Sequence, residues 1–112
     1  VERSAGGRTF IAQKDSDIKI PKMEHLTCFV PGMLMLGTQN LPPQEVDPEW
    51  KALAAELTDT CFSMYKESPS GLAPEYIVYD VDAQIPNDMS IPDDAPENVL
   101  RPEAAEAIFY MW

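Results

Sequence analysis

The sequence is poor in positive charge and has no long apolar run. Its 112 residues carry 8 Lys and Arg against 19 Asp and Glu, which gives a formal net charge of −11. A chain this acidic has no basic surface for nucleic acid or for an anionic membrane. None of its apolar runs approaches the ~20 residues that a membrane-spanning helix needs. The sequence therefore argues against a nucleic-acid-binding protein and against a membrane span within these residues.

Histidine and cysteine are also scarce, with one His and two Cys. A zinc site is not indicated, because His25 and Cys28 have no second ligand pair. A Cys/His nucleophile is not indicated either, because nothing places a base beside an exposed thiol. The spacing of Cys28 and Cys61 leaves two alternatives open. They form a disulfide, which would stabilise the fold by roughly 3–4 kcal/mol and imply an oxidising compartment, or they are two inert buried thiols.

The remaining composition indicates part or all of one small domain. Hydrophobic residues make up 45% of the chain, which is too many for a disordered acidic tail. The 11 prolines predict many turns and loops. The sequence starts at Val1 and stops at Trp112, inside a predicted helix. We therefore expect the chain to be a piece of a longer protein.

Two segments are predicted to form β-structure. Residues 6–21 read as a β-hairpin, with a first strand over 9–12, an Asp-Ser-Asp turn and a return strand over 18–20. Residues 76–79 (YIVY) read as a short strand because they are all aromatic or β-branched.

The most apolar stretch, residues 24–36, predicts a helix. Pro31 and Gly32 should kink this helix or delay its start, and Gly37 is placed to end it. A helix that is apolar on nearly all faces is usually buried on all sides. A chain of this length has little material to cover it, so we expect the helix to stay partly exposed and the isolated chain to fold poorly.

Residues 47–67 give the clearest helix signal. Asp47 is a candidate N-cap, and Pro48 stands at the expected first helical position. Apolar side chains follow at helical spacing along one face: Trp50, Leu53, Ala54, Leu57, Cys61, Met64 and Tyr65. A third helix is predicted to open at 101–103, with Pro102 in its first position.

The acidic, proline-rich segment 80–98 is interpreted as a solvated loop. Asp80 and Asp82 have the first spacing of an EF-hand calcium loop. The pattern then fails, because Ile85 stands where glycine is needed and Ile91 where a bidentate glutamate is needed.

Glu103 and Glu106 are the most suggestive carboxylates, since they lie at i, i+3 on one helical face. In the first turn, near Arg101, Glu103 is favoured as an anion, which suits a general base. On the residues alone, the ordinary preference for acids in a first turn is the favoured explanation of the pair. Likewise, His25 can be read as a core histidine and Glu75 as an ordinary loop acid.

Three segments together resemble a known family. Residues 23–32 (MEHLTCFVPG) resemble the M-[DE]-H-L-x-C-F-x-P-G segment of class I α-1,2-mannosidases, glycoside hydrolase family 47. Residues 71–75 (GLAPE) are similar to their G-L-x-P-E segment, and residues 100–106 (LRPEAAE) to their L-R-P-E-x-x-E segment. The three occur in the family's order, and the resemblance covers essentially the whole chain.

The resemblance implies a fold and an activity. The fold would be mainly α, a fragment of an (αα)7 barrel with a β-hairpin and short strand insertions. Residues 1–112 would then be a partial catalytic domain, truncated at both ends. The family depends on Ca²⁺ and removes α-1,2-linked mannose from high-mannose N-glycans with inversion.

The resemblance also implies roles for individual residues. Glu103 would be a catalytic carboxylate, the general base that activates water. His25 and Arg101 would line the mannose pocket. Glu106 and Glu75 would shape that pocket or hold waters around the calcium ion.

Other parts of the family's site are expected outside this chain. The general acid and a second catalytic aspartate would lie upstream, and the threonine that binds calcium directly would lie downstream, so no metal ligand is named here. Cys28 and Cys61 match the family's disulfide pair. The fragment alone is expected to be inactive.

The resemblance places the parent protein in the lumen of the endoplasmic reticulum or Golgi. It would be anchored by a membrane segment outside this chain, as a type II membrane protein, or secreted. The alternative function is a mannosidase-like module that binds glycans without catalysis. A third reading is an acidic helical interaction module with accidental motif matches.

Overall fold

The computed structural model describes residues 1–82, 88–93 and 97–112. Within these ranges it has three α-helices: α1 (Phe29–Asn40), α2 (Trp50–Lys66) and α3 (Glu103–Met111). Short 3₁₀ turns span His25–Cys28 and Pro43–Glu45. The strands are β1 (Glu2–Arg3), β2 (Thr9–Phe10), β3 (Gln13–Asp15), β4 (Ile18–Ile20), β5 (Lys22–Glu24), β6 (Tyr76–Tyr79) and β7 (Met89–Ser90). In these ranges, no helix combines the length and the apolar character needed to cross a bilayer.

Helix α1 starts later and ends later than the sequence predicted. The 3₁₀ turn precedes it, and Pro31 lies in its first turn, where a missing N–H breaks no helical hydrogen bond. The prediction that Gly37 ends the helix is wrong, because α1 continues to Asn40. Gly37 instead lies within the helix beside Trp50, where a Cβ would make an ordinary contact with a ring carbon at 3.5 Å.

The outer face of α1 is uncovered, as expected for so apolar a helix in so short a chain. Phe29, Met33 and Leu36 on this helix are each roughly half-exposed, as is Leu26 in the preceding 3₁₀ turn. The opposite face packs on α3, and Gly32 allows that close approach. A Cβ built at Gly32 would lie 3.2 Å from the ring of Tyr110.

Helix α2 confirms the clearest prediction, with a shifted start. Asp47 Oδ1 accepts a hydrogen bond from the Glu49 N–H at 2.8 Å, and the Asp47 carbonyl accepts one from Trp50 at 3.1 Å. Asp47 therefore forms a turn in front of the helix, and Glu49 is the N-cap. The buried face of α2 comprises Ala54, Leu57, Thr60, Cys61, Ser63 and Met64.

The disulfide between Cys28 and Cys61 is formed, with Cα atoms 6.0 Å apart. This settles the choice that the spacing had left open. Both cysteines are fully buried in the main core cluster. The bond ties the 3₁₀ turn before α1 to the middle of α2, which fixes the distance between these two segments.

The predicted hairpin over 6–21 is only half right. The return strand β4 and the turn are confirmed, but β4 pairs with β3 across a two-residue turn in which Ser16 has φ 53°. Residues Thr9–Phe10 pair instead with β1. Burial explains the difference: Phe10 is fully buried and stacks on Tyr79 with ring centroids 4.4 Å apart, while β4 is exposed.

The strand predicted at 76–79 is confirmed as β6, the centre of a three-stranded sheet with β5 and β7. Strand β7 lies within 80–98, so the prediction of a solvated loop there is wrong for residues 88–90. Met89 and Asp88 are buried. Residues 83–87 and 94–96 of that segment, including the failed EF-hand position Ile85, lie outside the described residues.

Asp88 anchors this segment to the connection between β1 and β2. It accepts hydrogen bonds from the Ser4 hydroxyl, from the Gly6 N–H at 2.9 Å and from Arg8 Nε at 3.0 Å. Burial alone would raise the pKa of Asp88, but these hydrogen bonds outweigh it and hold the pKa below its ordinary value. Gly6 must lack a side chain, because a Cβ there would lie 2.6 Å from Asp88 Oδ2.

We predict that Asp88→Asn destabilises the full-length protein by about 1–3 kcal/mol, because hydrogen bonds to a buried charge are lost. A depressed carboxyl pKa stabilises the fold above the unfolded value of about 4, and this contribution disappears as the pH falls through the folded pKa. The wild-type protein should therefore lose more stability below pH 4 than the variant. Thermal melts from pH 7 to pH 3 measure this, and parallel curves would contradict the prediction.

Candidate functional site

Four of the five predicted site residues come together where three elements meet. His25 opens the 3₁₀ turn after β5, Glu75 precedes β6, and Arg101 and Glu103 stand at the start of α3. The backbone extends the β5–β6 pairing into the site, since the His25 N–H donates to the Glu75 carbonyl at 2.8 Å. The prediction of a helix start at this point is confirmed, with Pro102 as N-cap rather than first helical residue.

Arg101 and Glu75 form a bidentate ion pair. Arg101 Nε lies 3.0 Å from both carboxylate oxygens of Glu75, and Nη2 lies 2.7 Å from Oε2. The hydrogen bonds from Arg101 lower the pKa of Glu75, and Glu75 in turn raises the pKa of Arg101. Both side chains are about one-third exposed, so the pair remains accessible to a ligand. Next to it lies a cavity of about 220 Å³ that Leu26 and Tyr76 also line.

An unusual turn leads the chain into Arg101. Leu100 adopts φ 57°, a left-handed conformation that is uncommon for a bulky residue and is often found at functional sites. The side chain of Asn98 holds this turn. Its Oδ1 accepts the Leu100 N–H at 2.9 Å, and its Nδ2 donates to the Ala73 carbonyl at 2.7 Å.

Glu103 presents a buried carboxylate oxygen. Among the residues that the structure describes, nothing hydrogen-bonds Oε2, although this atom is shielded from solvent. A buried polar atom without a partner is rare in folded proteins and calls for an explanation, such as a water or ligand that binds there. Glu103 is also close enough to influence the charge states of His25, Tyr65 and Arg101.

His25 is a buried ring held by a tyrosine. Only 1% of its surface is exposed, and its Nε2 lies 3.0 Å from the hydroxyl of Tyr65. Burial lowers the pKa of His25, against the opposing effects of Glu103 and Glu75. The lowered pKa favours the neutral ring, which can donate from one ring nitrogen while it accepts at the other.

Glu106 stands apart from the other four residues. It is exposed, one turn beyond Glu103 on α3. Within the described ranges, no hydrogen bond joins its side chain to His25, Glu75 or Arg101. The structure thus places it at the edge of the site, where its role remains a prediction.

The sequence reasoning missed Tyr65 and Asn98. Tyr65 was assigned only to the apolar face of α2, and Asn98 only to a loop. The signal for Tyr65 was the disulfide: Tyr65 lies one turn after Cys61, and His25 lies three residues before Cys28. The bond between these cysteines brings the two segments close together, and in the structure the two side chains meet. Asn98 had no comparable signal, because its role depends on the tertiary position of Ala73.

The described residues contain no group of three or more His, Cys, Asp or Glu side chains that could hold a metal ion. Of the clustered site residues, Glu75 already has its carboxylate paired with Arg101.

Comparison with known proteins identifies the family. The sequence profile of glycosyl hydrolase family 47 matches residues 2–112. A mannosyl-oligosaccharide 1,2-alpha-mannosidase of Arabidopsis thaliana is 38% identical over 93% of this chain and 17% of its own length. The endoplasmic reticulum mannosyl-oligosaccharide 1,2-alpha-mannosidase of Homo sapiens is 34% identical over 93% of this chain and 14% of its own length.

A solved structure shares the fold. The alpha-1,2-mannosidase from Trichoderma reesei matches 98% of this chain and 25% of its own chain, with a TM-score of 0.71 and 21% identity. The chain thus spans less than a fifth of these two curated relatives and a quarter of this structure. On the family match and the similarity to these relatives, the chain belongs to glycosyl hydrolase family 47.

Proposed function

We propose that this chain carries the general-base side of the active site of an α-1,2-mannosidase that acts on high-mannose N-glycans with inversion. The observation that carries the proposal is the buried Glu103 Oε2, which no described residue hydrogen-bonds, beside the fixed Arg101–Glu75 pair. The family match and the names of the curated relatives support the choice of substrate.

In the proposed reaction, Glu103 accepts a proton from a water molecule. The water oxygen forms a bond to the anomeric carbon of the terminal mannose, and the glycosidic C–O bond breaks on the opposite face. The leaving oxygen is protonated by a general acid that lies outside this chain. Inverting enzymes keep the two carboxyl groups roughly 6.5–9.5 Å apart to admit that water. The unpartnered Oε2 is the atom available to hold it.

The neighbouring residues would bind the sugar beside Glu103. The guanidinium of Arg101 is held in place by Glu75 and carries a positive charge close to Glu103. His25 supplies a neutral ring with hydrogen-bonding nitrogens. We assign mannose contacts to Arg101 and His25, and a role in shaping the pocket to Glu75 and Glu106.

Calcium belongs to the proposal as a cofactor of the whole enzyme, with its direct ligand outside this chain. Bound there, it would supply an electrophilic centre that orients substrate hydroxyls. We further propose that the helices described here are one part of an (αα)7 barrel. The names of several relatives favour the lumen of the endoplasmic reticulum, while the Golgi and a type II membrane anchor remain further proposals.

The test is linkage-specific hydrolysis by the full-length protein. We expect release of mannose from α-1,2-mannobiose, no release from the α-1,3 or α-1,6 isomers, loss of activity in EGTA and recovery on adding Ca²⁺. No hydrolysis of any isomer would contradict the enzymatic proposal. Equal activity with and without the chelator would contradict only the proposal that calcium is the cofactor.

The second candidate is a glycan-binding module without catalysis. The Arg101–Glu75 pair could bind sugar in such a module, but the presence of Glu103 beside it favours the enzyme. It predicts that the full-length protein binds high-mannose glycans but releases no mannose.

The variant Arg101→Lys should show whether Arg101 acts through its bidentate geometry or only through its positive charge. Lysine keeps the positive charge but cannot reproduce the planar, bidentate contact with Glu75. We expect KM to rise about tenfold in the full-length enzyme, on the scale of one lost charge-assisted hydrogen bond. The melting temperature should change little, because a partly exposed pair contributes only ~0–1 kcal/mol. Unchanged KM would contradict the binding role.

A further inference from the structure

Tyr65 is the hydrogen-bond partner that the described structure gives to the ring of His25. The Tyr65 hydroxyl lies 3.0 Å from Nε2, and the two rings meet edge-on with centroids 5.4 Å apart. Tyr65 comes from α2, whereas the other groups that act on His25 are Glu75, before β6, and Arg101 and Glu103, at the start of α3. The tyrosine therefore approaches the site from an independent element.

The surroundings of the hydroxyl indicate which way its proton points. Asn98 hydrogen-bonds the Tyr65 hydroxyl. Burial raises the pKa of Tyr65, and the hydrogen bond with Asn98 opposes this rise. An amide N–H that donates to the phenol oxygen has this effect, because it favours the phenolate. A phenol oxygen that accepts from an amide is free to donate its own proton. The acceptor within reach is His25 Nε2.

We propose that Tyr65 is a positioning residue that donates its hydroxyl proton to Nε2 of His25 and so keeps this ring neutral, with its proton on Nδ1. The inference rests on the proposed function, because it matters through Glu103. A protonated His25 would place a second positive charge beside Glu103 and weaken it as a base. A neutral His25 adds no charge beside Glu103 and offers one N–H to the site.

The covalent frame holds this arrangement in place. The Cys28–Cys61 bond joins the segment of His25 to the helix of Tyr65. The Ala73 and Leu100 backbones fix Asn98, which in turn contacts Tyr65. Two neighbouring segments therefore define where the hydroxyl lies before any substrate binds.

The test compares Tyr65→Phe with Tyr79→Phe in the full-length protein. Tyr79 is the matched control, because its hydroxyl is also buried but has no hydrogen-bond partner among the described residues. The protonation of each ring nitrogen of His25 is read from ¹⁵N chemical shifts, assigned through their loss in His25→Gln. The acid limb of the kcat profile against pH is measured on the same variants.

We expect an unprotonated Nε2 in the wild type. In Tyr65→Phe, the pKa of His25 should rise by roughly 0.5 to 1, because the hydrogen bond that favours the neutral ring is lost. The acid limb of kcat should move upward with it, while Tyr79→Phe behaves like the wild type. A protonated Nε2 in the wild type, or a pKa that falls or stays fixed in Tyr65→Phe, overturns the inference. The ¹⁵N measurement needs no turnover, so it decides this point even if the protein releases no mannose.

Discussion

Glu103→Gln in the full-length protein should lower kcat by about 10²- to 10⁴-fold, the usual contribution of a general base. Glutamine keeps the shape of the side chain but cannot accept a proton from water at neutral pH. Glycan binding should remain largely intact, because the Arg101–Glu75 pair does not depend on Glu103. Steady-state kinetics on α-1,2-mannobiose, together with calorimetric binding of the same sugar, separate the two effects.

Glu97→Gln is the matched control for this substitution. Glu97 is exposed and lies on the segment that leads into the site. The same chemical change there should leave kcat unchanged. Turnover by Glu103→Gln near the wild-type rate would remove Glu103 from the role of base, and equal losses in both variants would indicate a general effect of lost charge.

Removing the disulfide should cause the largest loss of stability, about 2–5 kcal/mol. Cys28 and Cys61 are fully buried in the core, and their bond closes the chain between the 3₁₀ turn and α2. Either Cys28→Ser or Cys61→Ser removes the whole bond. Each single variant should therefore cost nearly as much as the double variant, as measured by denaturant unfolding of the full-length protein.

Non-additivity is the decisive feature of that series. Single-variant losses that sum to the loss of the double variant would mean that each cysteine acts through its own packing. A total loss below 1 kcal/mol would mean that the bond constrains little. We also expect the disulfide variants to move the pKa of His25, because the bond fixes the approach of Tyr65.

Local sequence signals predicted the elements whose structure depends on local interactions. Helix α2 and strand β6 were found because their periodicity and flanking turns lie within a few residues. The pairing of β2 was missed, because its partner β1 was not recognised and Phe10 is drawn into the core by Tyr79. The burial of Asp88 was missed because its partners Ser4, Gly6 and Arg8 are about 80 residues away in the chain.

The candidate site, like the fold, could be predicted from the sequence only in part. The resemblance indicated His25, Glu75, Arg101 and Glu103, and the structure brings these four together. Their mutual contacts could not be derived from spacing, since the Arg101–Glu75 pair joins residues 26 positions apart. Tyr65 carries no motif of its own, and only the tertiary position of the disulfide reveals its place beside His25.

The configuration of the released sugar tests the central claim most directly. Full-length protein is mixed with α-1,2-mannobiose, and the first mannose formed is followed by ¹H NMR before mutarotation. The account predicts β-mannose, because a water activated by Glu103 attacks the face opposite the leaving group. Release of α-mannose first would contradict direct displacement by water, and no release at all would contradict the assignment of Glu103 as a catalytic base.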